Sequence, residues 1–300
     1  MPWSWLLVTL AVVAQTAMPP SSPERAAQAL FLEDLAFSAR AAQVPLADGL
    51  EPMFADDVIM PGPPATLHRG RAAVTAFLRA SPDAAAHASW TPIRVGLSAD
   101  GQHGFTFGFT TLTHADGRTV PLKYMAYWVK TPQGWRVAGY KRARRPEGDA
   151  VMTTMPPHLP ASLVPARSEA SHIEPLRQSL VAAERAFSDE AQKIGLGPAF
   201  AGFGHPTAVN MGGPANPSYV VGAEAIGTLV GAGRPPGPPS PVEWSCDVAL
   251  VASSGDLGIS FGFIRPTARP AGATATPQGT PFFTIWTRPS PGAPWRYIAE

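Results

Sequence analysis

Asp56 and Asp57 are adjacent carboxylates in a segment that turns from a predicted helix into a predicted strand. A carboxylate enclosed by apolar side chains has its pKa raised by desolvation and can act as a general base. The plainer alternative is an Asp pair that solvates the turn, because Asp is a common turn former. His68 precedes a predicted helix and titrates near neutral pH when unperturbed. Its plainer reading is a surface-loop histidine. Tyr127 shares one strand face with Lys123 and Met125 by alternation. A tyrosine hydroxyl beside a lysine can polarise a carbonyl, whereas a core or sheet-surface tyrosine does no chemistry.

Other patterns fail on context. Gly258-Ile259-Ser260-Phe261-Gly262 fits the G-x-S-x-G expression, but it lies inside an alternating strand. A nucleophile elbow needs a strand–turn–helix. Gly195-Leu196-Gly197 runs into Pro198 and does not complete a dinucleotide fingerprint. The seven histidines are scattered without His-x-His or His-x-x-x-His spacing, so no metal site is expected, and no cofactor. Cys246, the single cysteine, excludes an intrachain disulfide framework and reads as buried and inert. The run Lys141-Arg142-Ala143-Arg144-Arg145 reads as a solvated strand end, with an anion contact as the alternative. A formal net charge of +1 supplies no field for nucleic acid.

The elements that must position these residues occur twice. Trp90 and Trp244 stand 154 positions apart, as do Gly101 and Gly255, which open the strands ending in Phe109 and Phe263. Upstream, Glu33 to Ser38 matches Ala183 to Ser188 at an offset of 150, and Gly70 to Val74 matches Gly222 to Ile226. Downstream, Trp128 and Trp135 match Trp286 and Trp295. Such self-similarity marks two copies of one domain. Residues shared by both copies then serve the fold, so the paired tryptophans read as packing. Copy two has Pro206-Thr207 opposite Asp56-Asp57 and Ile285 opposite Tyr127.

Within copy one, helices are expected over 24–43, 46–55 and 70–79, with a short strand at 58–60. Strands follow over 88–98, 102–114, 121–131 and 134–143, joined by Asp100-Gly101, Asp116-Gly117 and Gln133-Gly134 turns. Phe105, Phe107 and Phe109 share one strand face. The expected organisation is a signal peptide at 1–17, a first domain at 24–143, a Pro-stiffened linker at 144–172 and a second domain at 173–300. The apolar run Trp3 to Ala14, with small residues to Ala17, has signal-peptide length and predicts a periplasmic or secreted protein, with an uncleaved anchor as the alternative.

Helices followed by a meander of long strands, with Phe54-Ala55-Asp56-Asp57-Val58, the Gly70 helix entry, Trp90-Thr91-Pro92 and Trp135-Arg136-Val137, resemble the NTF2-like superfamily, nearest its SnoaL-like, DUF4440-type branch. The resemblance implies an α+β fold of two tandem NTF2-like cones. In each, three N-terminal helices pack in a strongly curved, mostly antiparallel sheet around a pocket. It also implies that the two cones pair within the chain as a pseudo-dimer. Fold does not decide function. Three classes follow. The favoured one binds a small hydrophobic molecule without catalysis, because no catalytic constellation is shared by both copies. The second is an isomerase, cyclase or epoxide-hydrolase-like enzyme with one active cone, using Asp57 with His68 and Tyr127. The third is a protein-interaction module.

Overall fold

The computed structural model describes residues 22–63, 65–148, 150, 152–234, 237–268 and 279–300. The segment expected as a signal peptide lies outside them. Among the described residues no helix is long and apolar enough to cross a membrane.

The first unit opens with α1 (Pro23–Ala41), capped by the Ser22 hydroxyl and carrying Pro23 in its first turn. Its buried stripe runs through Ala27, Leu30, Asp34, Phe37 and Ala41. α2 (Leu46–Leu50) and a 3-10 turn (Glu51–Met53) follow. β1 then spans Phe54–Gly62, longer than the strand expected at 58–60, and the second helix stops short of Ala55. β2 (Thr66–Arg69) was not foreseen; it returns along β1 before α3 (Arg71–Arg79). The meander is β3 (His87–Leu97), β4 (His103–Thr113), β5 (Thr119–Thr131) and β6 (Gly134–Arg144). The sheet order is β2-β1-β6-β5-β4-β3, antiparallel except where β1 meets β6.

The second unit repeats this plan. It comprises α4 (Ala170–Ile194), α5 (Leu196–Phe203), β7 (Gly204–Asn210), β8 (Val220–Val221), α6 (Ala223–Gly231), β9 (Val242–Val251), β10 (Leu257–Pro266), β11 (Thr280–Thr287) and β12 (Arg296–Ala299). Its order, β8-β7-β12-β11-β10-β9, is that of the first sheet. Gly70 and Gly222 precede α3 and α6 at φ +86° and +96°, a backbone region glycine enters without a Cβ clash. The fold is therefore α+β, with two tandem cones of the same topology.

Each cone has its own interior, where helices pack on one sheet face. A third apolar layer lies between the opposite faces of the two sheets. Phe105, Phe107, Phe109, Met125 and Tyr127 of the first sheet meet Ile259, Phe261, Phe283 and Ile285 of the second. The sheets approach so closely at Gly139 that a Cβ there would lie 2.7 Å from Ile259 and 2.8 Å from Phe261. Tyr219 crosses the layer and donates its hydroxyl to the carbonyls of Gly108 and Tyr124, both at 2.7 Å.

The segment between the cones is docked. Met155 N–H donates to Ile93 O at 2.7 Å, His158 N–H to Val95 O at 2.9 Å, and Leu97 N–H to His158 O at 3.0 Å. It thus runs along β3 with a parallel bridge between Gly96 and His158. An edge strand offers unpaired backbone groups, and this segment satisfies them. Its prolines do not interfere, because the donors are Met155 and His158. The expectation of a stiff spacer gives way to a strand-like strap.

Candidate functional site

Each cone buries one carboxylate on the apolar stripe of its first helix. In the first cone Asp34 Oδ1 accepts the Trp90 indole N–H at 2.6 Å, and Oδ2 accepts the Tyr124 hydroxyl at 2.6 Å. In the second, Glu184 Oε1 accepts the Trp244 indole N–H at 2.8 Å. Its Oε2 accepts the Ser260 hydroxyl at 2.5 Å and the Trp286 indole N–H at 3.1 Å. Burial pushes Asp34 up to about 6 and Glu184 up to about 7, while the hydrogen bonds from their partners pull the other way. Trp90 and Trp244 therefore each hold a carboxyl group as well as pack. Ser260 is buried in β10 and engaged with Glu184 and Trp286, which agrees with its rejection as an elbow nucleophile.

The cones differ in what surrounds that carboxyl. Tyr124 and Tyr140 fill the first, with ring centroids 6.4 Å apart and both side chains buried. Strand register places Phe282 and Glu300 at the equivalent positions of the second, and Asn210 where the first has Met60. There a cavity of about 260 Å³ remains, walled by Phe187, Phe200, Trp244, Ile264 and Phe282. Its polar groups are Glu184, Asn210, Arg234, Thr284, Glu300 and, reaching in from β6 of the first cone, Lys141. Asn210 Nδ2 donates to Glu300 Oε1 at 2.8 Å. Burial raises the Glu300 carboxyl pKa, with Lys141 opposing and Glu184 reinforcing the rise. Burial lowers the Lys141 ammonium pKa, and Glu300 opposes that fall.

Cone one also holds the rim. Lys123 Nζ donates to the carbonyls of Met211, Asn216 (2.8 Å) and Ser218 (3.3 Å), and Met211 with Gly212 lines the cavity. Burial brings the Lys123 ammonium down to about 8, with the Arg145 charge adding to the fall. The arrangement suits an apolar molecule with one polar end, which would meet carboxyls able to donate or accept near neutral pH.

The structure does not bring Asp57, His68 and Tyr127 together. Asp56 and Asp57 project from β1 into solvent, and Asp56, with 93% of its side chain exposed, pairs with Arg71 at 2.8 Å. The register shift in β1 between Phe54 and Ile59 turns this pair away from the cone interior. His68 lies on β2 and stacks on Phe77 with centroids 4.0 Å apart. It is half-buried, its Nε2 has no hydrogen-bond partner, and burial lowers its pKa. Tyr127 is buried in the layer between the sheets, its hydroxyl 2.8 Å from His103 Nδ1. Its alternation with Lys123 and Met125 is as expected, but that face looks toward the other cone. Cys246 is half-buried on β9, with its thiol pushed up to about 12 by burial. Among the described residues no group of three or more His, Cys, Asp or Glu is placed to hold a metal ion.

Residues 34–138 match the family model of the SnoaL-like domain. Solved structures similar to part of the chain include three single-cone matches. A ketosteroid isomerase-like protein from Erwinia carotovora atroseptica is 18% identical over 39% of this chain and 100% of its own, with a TM-score of 0.29. An NTF-2 like protein of unknown function from Shewanella oneidensis is 9% identical over 38% and 98%, TM-score 0.32. A Mycobacterium tuberculosis protein in complex with estradiol-17β-hemisuccinate is 17% identical over 39% and 92%, TM-score 0.30. These likenesses are too remote to carry function across. No curated protein matches the chain.

Proposed function

Starting from a chain whose residues 34–138 match the SnoaL-like domain, we propose that the protein binds one small hydrophobic molecule in the cavity of the second cone, without turnover, outside the cytoplasm. The observation that carries this reading is the asymmetry of the two interiors. Tyr124 and Tyr140 fill in the first cone what Phe282 and Glu300 leave open in the second. A largely apolar wall with a few convergent polar groups is the usual form of a small-molecule site. The cones act as an intrachain pair in which the first is the scaffold. Its Lys123 supports the rim and its Lys141 enters the cavity. Export rests on the apolar run Trp3 to Ala14 and the small residues up to Ala17. A second reading, an acid–base isomerase, cyclase or hydratase acting on a hydrophobic carbonyl compound or epoxide, is favoured by the Glu184 carboxyl held near neutrality in the cavity wall.

Native mass spectrometry of the protein from its own cell envelope tests the proposal. One retained hydrophobic molecule per chain is expected, and Val230→Trp, which fills the cavity, should release it. A chain that retains nothing and does not take up Nile red overturns the reading. A mass that still includes Met1 overturns cleaved export.

A further inference from the structure

The chain has four lysines, Lys123, Lys130, Lys141 and Lys193, and their surroundings separate them sharply. Lys123 Nζ is enclosed and committed to three carbonyl oxygens. Lys130 is exposed beside the Trp135 ring, 6.0 Å from its centroid. Lys193 is exposed and pairs with Glu190 at 3.1 Å. Lys141 alone lines an apolar cavity. Among the described residues its Nζ makes no hydrogen bond and no ion pair within 4 Å, although Glu300 is near enough for their charges to interact.

We propose that Lys141 captures a small apolar aldehyde or ketone as a reversible imine. The inference rests on the second-cone cavity being the binding site. The aromatic and aliphatic wall selects an apolar body, and the amine selects the carbonyl. Desolvation favours the neutral amine, the form that is nucleophilic. The same desolvation favours a protonated Glu300.

The step balances within these groups. The amine lone pair forms a C–N bond to the carbonyl carbon, and the C=O π pair moves onto oxygen. That oxygen takes the Glu300 proton, and the resulting carboxylate accepts a proton from nitrogen. Glu300 then returns this proton to the carbinolamine hydroxyl. Water leaves as the nitrogen lone pair closes C=N, and the protonated imine returns its N–H proton to the Glu300 carboxylate. One carbonyl compound and one amine give one imine and one water, with no oxidant or reductant.

The test uses the full chain with trans-cinnamaldehyde, reduction by borohydride, and peptide mapping of all four lysines. Cinnamyl alcohol, which fits the same walls but cannot form an imine, is the companion probe, read by quenching of tryptophan fluorescence. Fixation at Lys141 about tenfold above Lys130 and Lys193 is expected from its setting. It should be suppressed by excess cinnamyl alcohol and lost in Lys141→Arg. Binding of the alcohol with no selective fixation at Lys141 overturns the imine and leaves the cavity reading standing. Fixation spread evenly over the exposed lysines overturns the imine as well. Failure of both probes to bind, with no adduct at Lys141, overturns the imine together with the cavity reading.

Discussion

Glu184 makes the pH dependence of stability a direct test of the buried-carboxyl network. In the folded chain its pKa is raised from 4.5 to about 7. The folded state therefore keeps its proton over a window in which the unfolded chain has lost it. As pH rises from about 4.5 the unfolded state ionises first and stability falls; above about 7 both states are ionised and the loss is complete. The two pKa values differ by about 2.5, and each pKa step is worth about 1.4 kcal/mol, so the full loss is about 3 kcal/mol. Glu184→Gln cannot ionise yet keeps an oxygen for the Trp244 indole, while the Trp286 indole retains the Ser260 hydroxyl oxygen at 2.9 Å. Its amide can donate to Ser260, whose hydroxyl can turn to the Thr284 carbonyl 3.5 Å away. Urea unfolding of both proteins across this range should show little difference at about pH 4.5. By about pH 8 the variant should be ahead by about 3 kcal/mol. Taking the difference cancels the titrating groups that do not sense the Glu184 charge; Glu300 and Cys246 do sense it. A gap that stays flat within about 1 kcal/mol over that range would refute the claim that burial governs this carboxyl.

Two further outcomes test how one cone supports the other. Lys123→Met leaves the carbonyls of Met211, Asn216 and Ser218 without their donor. The cost should be about 2–3 kcal/mol in urea unfolding, with faster amide exchange over 211–218; unchanged exchange there would count against the clamp. Gly139→Val forces a branched side chain against Ile259, Phe261 and Phe283, which can give way only partly. It should cost about 1–3 kcal/mol and separate the melting of the two cones by calorimetry, and a single unshifted transition would contradict the close approach.

The architecture was legible because it is carried by large residues at regular spacing. Trp90 and Trp244, and the strands ending in Phe109 and Phe263, repeat with little drift, and both sheets form where those patterns lie. The docking of 155–158 on β3 was not legible, since backbone hydrogen bonds demand no particular side chain. Asp57 was misplaced because its direction depends on β1 starting at Phe54 and on the irregular pairing that follows. Asp34 and Glu184 stood side by side in the aligned helices. Their importance shows only when the indoles of Trp90 and Trp244 are seen to converge on them. The cavity was hidden for a different reason. It arises from the volumes of Tyr140 and Glu300, whose equivalence depends on the pairing of β12 with β11 and β7.

Joining the cones in one chain also frees them from a symmetry rule. In a homodimer every residue serves both pockets, so any change that opens one opens the other, and any side chain lent across the interface is lent twice. Here Tyr140 can close one interior while Glu300 lines the other, and Lys141 can be donated in one direction only. The first cone has become a fixed buttress, and apart from the lysines it lends its interior can be chosen for packing alone. Redesign of binding in this protein can therefore proceed one wall at a time, with each substitution felt by a single site.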